Sequence, residues 1–152
     1  MQLVKADELR SSNPDQSKIS LENIDTTKLK NNERDLHQYL IAYNTLINGN
    51  VVEASHLLNN LAKDSTYISV KIRTLGSLLS VYVSLNDWLN ALQTINLLDA
   101  YLAPESNTEK TELERIKFYI LKFYNNVGEY ELAKKMAIDL LNTDITPRSR
   151  CL

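Results

Sequence analysis

Few side chains in this sequence are suited to catalysis or metal binding, and their positions keep them apart. The chain has two histidines, His37 and His56, and one cysteine, Cys151. These residue types bind zinc when they are clustered, but here they fall in separate segments of the sequence. No glycine-flanked nucleophile, as in a strained catalytic turn, accompanies them. We therefore expect neither a metal centre nor a bound cofactor.

Pairs of glutamates are the remaining candidates for acid–base chemistry. Glu112 and Glu114, like Glu129 and Glu131, are two positions apart in segments with helical periodicity. Because residues two apart on a helix do not face each other, we interpret both pairs as surface or capping charges. The three glycines are too far apart to form a phosphate-binding loop. The sequence therefore predicts a protein that is not an enzyme.

Composition favours one globular domain in a reducing compartment. The 152 residues are 43% hydrophobic and carry a formal net charge of -2. A sequence pI of about 5.7 leaves no excess of basic groups for nucleic acid. One cysteine cannot form an internal disulfide, and acidic residues precede any apolar run of signal-peptide length. We expect a cytoplasmic protein with no membrane insertion, since no apolar run approaches the roughly 18 residues of a membrane span.

A short pattern occurs three times along the chain, and helical periodicity flanks each copy. Each copy has a Gly or Asn, a large apolar residue two positions on, and an Ala three positions further. The copies begin at Gly49, Asn86 and Gly128, and their alanines are Ala54, Ala91 and Ala133. Apolar residues at three- and four-residue steps indicate a helix on either side of each copy. The predicted fold class is all-α, with about three antiparallel helix pairs stacked side by side.

The residue types in this pattern suit a tight turn between two helices. Antiparallel helices approach closely beside a short loop, where Ala leaves clearance and Gly or Asn adopts positive φ at low cost. Apolar spacing predicts helices at 33–48 and 51–63, then at 67–85 and 88–103, with the third pair after a break at 103–107. The segment 88–103 is the most apolar, so we expect it to lie centrally and to pack on two sides.

The two ends differ in composition from this helical-repeat domain, which spans residues 33–143. Residues 1–32, here called the leader, are polar, contain no aromatic residue and balance five basic against five acidic residues. We expect a largely flexible leader with one marginal helix, or alternatively a segment that folds onto a partner or onto the first repeat. Residues 144–152 are expected to form a frayed tail.

The pattern resembles the tetratricopeptide repeat, whose helix pairs carry a Gly-bulky turn before an Ala in the second helix. Only Ala42 matches the family's small position in the first helix. The spacing between successive alanines also varies, with 37 positions from Ala54 to Ala91 and 42 from Ala91 to Ala133. The resemblance implies a short α-solenoid over residues 33 to about 143. In that family the first helices line a concave groove that holds a partner peptide or helix.

Projecting the family's groove onto this sequence gives a set of partner-binding residues, with aromatic anchors, small residues and cations. They are Tyr39, Tyr43, Leu46, Arg73, Gly76, Ser80, Val83, Arg115, Phe118, Lys122 and Asn125. Aromatic side chains anchor a ligand at low entropic cost, and the cations pair with carboxylates. The alternative is that the tyrosines belong to the core or cover the leader and that the cations are solvated. The family's Lys/Asn carboxylate clamp is absent.

Two functional classes follow. The first is a non-enzymatic adaptor or chaperone, a monomer or weak dimer, that holds an extended or helical segment of another protein. It is similar in size, charge and repeat number to the tetratricopeptide chaperones of bacterial type III secretion. The second is a structural scaffold subunit of a larger assembly, which contacts its neighbour through the apolar face of residues 88–103 at Leu89, Leu97 and Tyr101.

Overall fold

A computed structural model describes residues 2–102 and 109–142, and over these residues the fold is all-α, as predicted. No strand occurs in this part of the chain, and none of its helices is long and apolar enough to cross a membrane. A 3₁₀ turn at Thr26–Lys28 precedes the third helix. The helices are α1 (Gln2–Leu9), α2 (Pro14–Glu22), α3 (Asn31–Ile47), α4 (Val51–Asp64), α5 (Ile68–Ser84), α6 (Trp88–Tyr101), α7 (Lys110–Asn126) and α8 (Tyr130–Asn142).

The chain divides into two compact units, and the boundary falls within α5, between Thr74 and Leu75. The first unit holds α1 to α4 and the first part of α5, with a core that includes Tyr39, Leu40 and Leu58. The second unit holds the rest of α5 and α6 to α8, and its core includes Ile95 and Ile116. The boundary between the two units thus differs from the boundary at residue 33, where composition placed the start of the folded domain.

The three repeated turns have the same backbone geometry, which confirms the predicted role of Gly and Asn. Gly49, Asn86 and Gly128 have φ angles of 86°, 57° and 87°. The residue after each one donates its N–H to the carbonyl five positions back: Asn50 to Thr45 at 3.1 Å, Asp87 to Tyr82 at 2.9 Å and Glu129 to Tyr124 at 2.9 Å. This Schellman arrangement satisfies carbonyls that the helix end would otherwise leave unpaired.

The alanine of each repeated turn is the fourth residue of the second helix of its pair. Ala54, Ala91 and Ala133 donate their N–H groups to the carbonyls of Asn50, Asp87 and Glu129 at 2.9, 2.9 and 3.0 Å. All three alanines are buried. Helix α3 packs on α4 and α7 packs on α8, so two of the predicted pairs are confirmed by contact. The small side chain at each of these buried positions therefore leaves room for neighbouring helices to approach.

The leader contains two helices that pack on each other, and both contact α3. Asn13 caps α2 by accepting a hydrogen bond from the Gln16 N–H, and Pro14 occupies the first turn. Leu3, Ala6 and Leu21 are buried. Composition favoured a largely flexible leader, but the structure has the alternative arrangement, a leader folded onto the first repeat. The expected frayed tail at 144–152 lies outside the described residues.

Helix α5 is more completely buried than α6, which corrects the expected central place of residues 88–103. Residues 74–81 of α5 are all buried. On α6, Leu89 is 68% exposed and Leu97 is 53% exposed. The reason is that small residues of α5, such as Gly76 and Ser77, let neighbours approach closely, whereas apolar content alone does not decide which helix is covered.

Candidate partner-binding site

A carboxylate of the leader lies between two guanidinium groups of the first unit. Arg73 on α5 donates from Nη1 to both Asp7 carboxylate oxygens at 2.8 Å, and Arg10 donates to Asp7 Oδ1 at 2.8 Å. The side chains of Asp7 and Arg73 are only 19% and 18% exposed. Removing one partner of a pair this sheltered from solvent costs more than at an exposed ion pair, because it leaves a poorly hydrated charge.

The segment after α1 contacts a buried aromatic pair on α3. The hydroxyl groups of Ser11 and Tyr43 lie 3.4 Å apart, within hydrogen-bond distance. The Tyr39 and Tyr43 rings are 6.0 Å apart at an interplanar angle of 39°. Tyr39 is completely buried and Tyr43 nearly so. The leader therefore lies against residues that the sequence assigned to the partner-binding groove.

A second set of hydrogen bonds connects α1 to α3 through α2. Ser17 donates to the Ala6 carbonyl oxygen at 2.8 Å, and Asn44 of α3 donates to the Ser17 hydroxyl at 3.4 Å. Ser17 and Asn44 are buried. These bonds add to the packing of α1 and α2 against α3, because a buried donor that loses its acceptor costs free energy.

We call Tyr39, Tyr43 and Arg73 the leader site. It combines two aromatic rings with one cation, and two leader side chains bond to it: Ser11 to Tyr43 and Asp7 to Arg73. Aromatic residues and arginine are the types most often found at the centres of protein interfaces. Chemically, the leader site is suited to a segment that carries a carboxylate beside a small apolar face.

The remaining projected groove residues are placed in several environments. Leu46 in the first unit is half-buried. In the second unit, Arg115 contacts Glu112 and donates to the Ser77 hydroxyl at 3.3 Å, and the Phe118 ring packs edge-on against Tyr119. Three further residues of this unit are buried and two are exposed. The buried ones are Gly76, Ser80 and Val83, and the exposed ones are Lys122 and Asn125.

Glu112 and Glu114 are buried, which makes their interpretation as surface charges wrong, although Glu112 does lie in the first turn of α7. Glu112 is 3% exposed and Glu114 is 6% exposed. Glu112 pairs with Arg115 one turn along α7. Opposite them, Gly76 on α5 has no side chain, and an added Cβ there would lie 3.0 Å from Glu112 Oε1. An Arg three positions after a Glu indicates an ion pair along the helix, but this spacing carries no signal that the glutamate is buried.

The alternative interface on α6 is partly accessible. Leu89 and Leu97 are exposed and Tyr101 is half-buried. Asp99 is the one charged residue between Trp88 and Tyr101. Comparison with protein-family models, with curated proteins and with solved structures finds no match to this chain.

Proposed function

We propose that this chain is a non-enzymatic adaptor or chaperone that holds a helical segment of a partner protein at the leader site. One observation carries the proposal: α1, a helix of the chain itself, bonds to Arg73 and its following turn contacts Tyr43. Both residues belong to the groove that the tetratricopeptide resemblance implies. The leader would then act as an internal substitute for the partner and keep the site covered until the partner arrives.

The attachment of α1 is modest enough to be exchanged. The helix has eight residues, of which only Leu3 and Ala6 are buried. An isolated helix of this length is not stable in water, so α1 depends on its contacts. If opening costs about 3 kcal/mol, the apparent affinity for a partner falls about 150-fold from its intrinsic value. A partner of ordinary affinity can still compete.

The contacts of α1 also indicate what the partner carries. Leu3 and Ala6 lie three positions apart and share one face of the helix, and Asp7 follows directly. We expect a partner segment that forms an amphipathic helix with a large and a small apolar residue one turn apart. A carboxylate next to the small residue would pair with Arg73.

The test measures binding of the leader to its own site in trans. A fluorescent peptide of residues 1–12 is titrated into the full chain carrying Asp7→Asn, which weakens the internal competitor. The matched control is the same peptide with Asp7→Asn. We expect the unmodified peptide to bind at least about 10-fold more tightly, since charge-assisted pairs in sheltered sites are worth about 1.5–3 kcal/mol. The preference should disappear when Arg73→Gln is added to the protein.

Two results would overturn this proposal. One is equal binding of both peptides to the Asp7→Asn protein. The other is no binding of either, in a sample whose α1 amides exchange rapidly with solvent and therefore are open.

A second candidate function is a scaffold subunit that assembles through α6. The exposed Leu89 and Leu97 side chains favour it, because large apolar residues exposed on a helix with one charged residue often mark an interface. Sedimentation of the full chain tests it: Leu89→Asp with Leu97→Asp should convert an oligomer to a monomer. A wild-type chain that is monomeric at high concentration would exclude self-assembly through this face.

A further inference from the structure

The outward face of α6 carries a stripe of four exposed residues, spaced by four, three and four positions. They are Leu89, Gln93, Asn96 and Ala100, and we call them the α6 stripe. A leucine flanks the stripe on each side, Leu92 at 42% exposure and Leu97 at 53%. The opposite face of the helix is buried and consists of Ala91, Thr94, Ile95 and Leu98. Spacing by three and four positions is typical of a helix face that packs lengthwise on another helix.

The other two repeats provide an internal comparison for the α6 stripe. The same four positions, counted from the repeat alanine, are Val52, His56, Asn59 and Lys63 in α4. In α8 they are Glu131, Lys135, Ile138 and Asn142. Both of these sets include ionisable side chains, whereas the α6 stripe has none. Since the three turns share one backbone geometry, the fold does not require an uncharged face at this place. Loss of charge is typical of the centre of an interface, because an uncharged face is dehydrated at lower cost.

The α6 stripe is complementary to a second copy of itself in the antiparallel direction. A two-fold interface is reciprocal: if one residue contacts another on the partner copy, the same contact occurs again with the roles exchanged. The pair Leu89 and Ala100 and the pair Gln93 and Asn96 are both centred on the Thr94–Ile95 bond. An antiparallel pair about that centre sets each large Leu89 against a small Ala100. It also sets each Gln93 against an Asn96, and two carboxamides can donate to and accept from each other.

The position of Asp99 also favours the antiparallel direction. Asp99 is the one charged residue of α6, and it is exposed beside the stripe. In the antiparallel pair the two copies of Asp99 lie about 14 Å apart along the helix axes, at 1.5 Å per residue. This exceeds the Debye length of about 8 Å at physiological salt, so their repulsion is largely screened. A parallel pair would bring both carboxylates to one level and set Leu89 against Leu89 and Ala100 against Ala100, which packs less evenly.

We propose that α6 packs antiparallel on the α6 of a second copy of this chain, about a two-fold axis level with the Thr94–Ile95 bond. The inference rests on the second candidate function and names the neighbour that α6 contacts. The stripe spans only about 17 Å of helix. Because this is smaller than a standard protein interface, we expect a weak dimer with a Kd of about 10–100 µM.

The experiment places charges at the two central polar positions of the full chain. Sedimentation equilibrium compares the parent with Gln93→Lys/Asn96→Glu and with Gln93→Glu/Asn96→Glu. Both positions are exposed, so both variants should keep the helical circular dichroism of the parent. In the antiparallel pair, the first variant sets each introduced lysine opposite a carboxylate and should dimerise at least as tightly as the parent. The second sets carboxylate opposite carboxylate, and its Kd should rise at least about 10-fold.

Each other result overturns the inference. In a parallel pair every residue meets its own copy, so both charged variants would dimerise more weakly than the parent. Unchanged dimerisation of Gln93→Glu/Asn96→Glu would show that the stripe is not the contact. A parent that stays monomeric at about 1 mM, well above the expected Kd, would also contradict self-pairing.

Failure of this inference is separable from failure of the proposed functions. If Leu89→Asp with Leu97→Asp abolishes a dimer that Gln93→Glu/Asn96→Glu retains, α6 is the interface and only the register is wrong. The leader site is read independently, because the peptide of residues 1–12 should bind equally well to Asp7→Asn chains with and without the substitutions at positions 93 and 96.

Discussion

Asp7 and Arg73 are 66 positions apart in sequence, yet the Arg73 guanidinium nitrogen lies 2.8 Å from both carboxylate oxygens of Asp7. The pair joins the first helix of the chain to α5 within the first unit. Because only Leu3 and Ala6 of α1 are buried, we expect this ion pair to contribute to whether α1 stays docked.

Asp7→Asn should increase the opening of α1 without unfolding the first unit. Removing one partner of a sheltered ion pair costs about 1–3 kcal/mol here, less than the value for a fully buried pair. Amides of residues 2–22 should therefore exchange with deuterium about 5- to 150-fold faster, and those of α4 at an unchanged rate. Glu8→Gln, at an exposed position of the same helix, is the control. Equal acceleration in both variants would contradict the assigned role of Asp7.

Gly76→Ala should destabilise the second unit even though alanine favours helices. The added Cβ would lie 2.9 Å from Ile116 Cγ1, closer than carbon atoms approach in proteins. Overpacking costs about 1–3 kcal/mol, which outweighs the helix-propensity gain of about 1 kcal/mol. Urea unfolding measures the net loss. If Gly76→Ala raised the midpoint, the close approach of α5 and α7 would be incorrect.

A comparison with Gly128→Ala separates crowding from backbone strain. Nothing lies within 4 Å of a Cβ added at Gly128, but its φ is +87°. That variant should lose about 1–2 kcal/mol through conformation alone. A larger residue at position 76 should increase the loss steeply, whereas position 128 should be insensitive to side-chain size.

Ala91→Leu and Ala133→Leu should each cost about 1–3 kcal/mol, because both alanines are buried and a larger side chain would overpack their surroundings. Ala100→Leu, at an exposed position of α6, provides the control and should change stability by less than about 0.5 kcal/mol. Thermal melting is sufficient to rank the three variants. Unchanged melting of both buried variants would contradict the register of the repeat.

Alkaline pH should weaken the second unit through Tyr124. Burial raises the pKa of this phenol, and the nearby Asp99 and Glu129 carboxylates raise it further. In the unfolded chain the phenol ionises near pH 10, so between that pH and the folded pKa the folded state binds more protons. Stability therefore falls as pH rises through this window.

The Tyr124→Phe chain has no phenol to ionise. Its free energy of unfolding, measured in urea titrations, should therefore rise relative to that of the parent between pH 8 and pH 10.5. Glu129→Gln should reduce the improvement because one of the carboxylates that disfavour ionisation is removed. An identical pH dependence in parent and Tyr124→Phe chains would show that the phenol is not the group responsible.

Local patterns were predictable from sequence wherever backbone chemistry determines the outcome. Gly49, Asn86 and Gly128 marked the turns because few residue types accept positive φ. Burial was less predictable, since it depends on partners distant in sequence. The polar composition of the leader did not reveal that Asp7 would find Arg73, and spacing alone did not reveal that Glu112 lies opposite Gly76.

The candidate sites also combine features that a sequence pattern can suggest with features that depend on residues distant in sequence. The family resemblance assigned Tyr39, Tyr43 and Arg73 to a groove, and that assignment stays a prediction. The bonds from the leader to Tyr43 and Arg73 could not be predicted, because they join residues that are distant in sequence. Apolar content also overestimated the burial of α6, whose Leu89 side chain is exposed.

The bonds that close the three bends join main-chain atoms to main-chain atoms. Such a bend needs only one residue with positive φ and one small residue nearby, and it depends little on the other side chains around it. Side chains elsewhere on the hairpins can therefore change while the bends themselves persist. The bend is also portable: six or seven residues transplanted between two unrelated helices should reproduce the same reversal of chain direction.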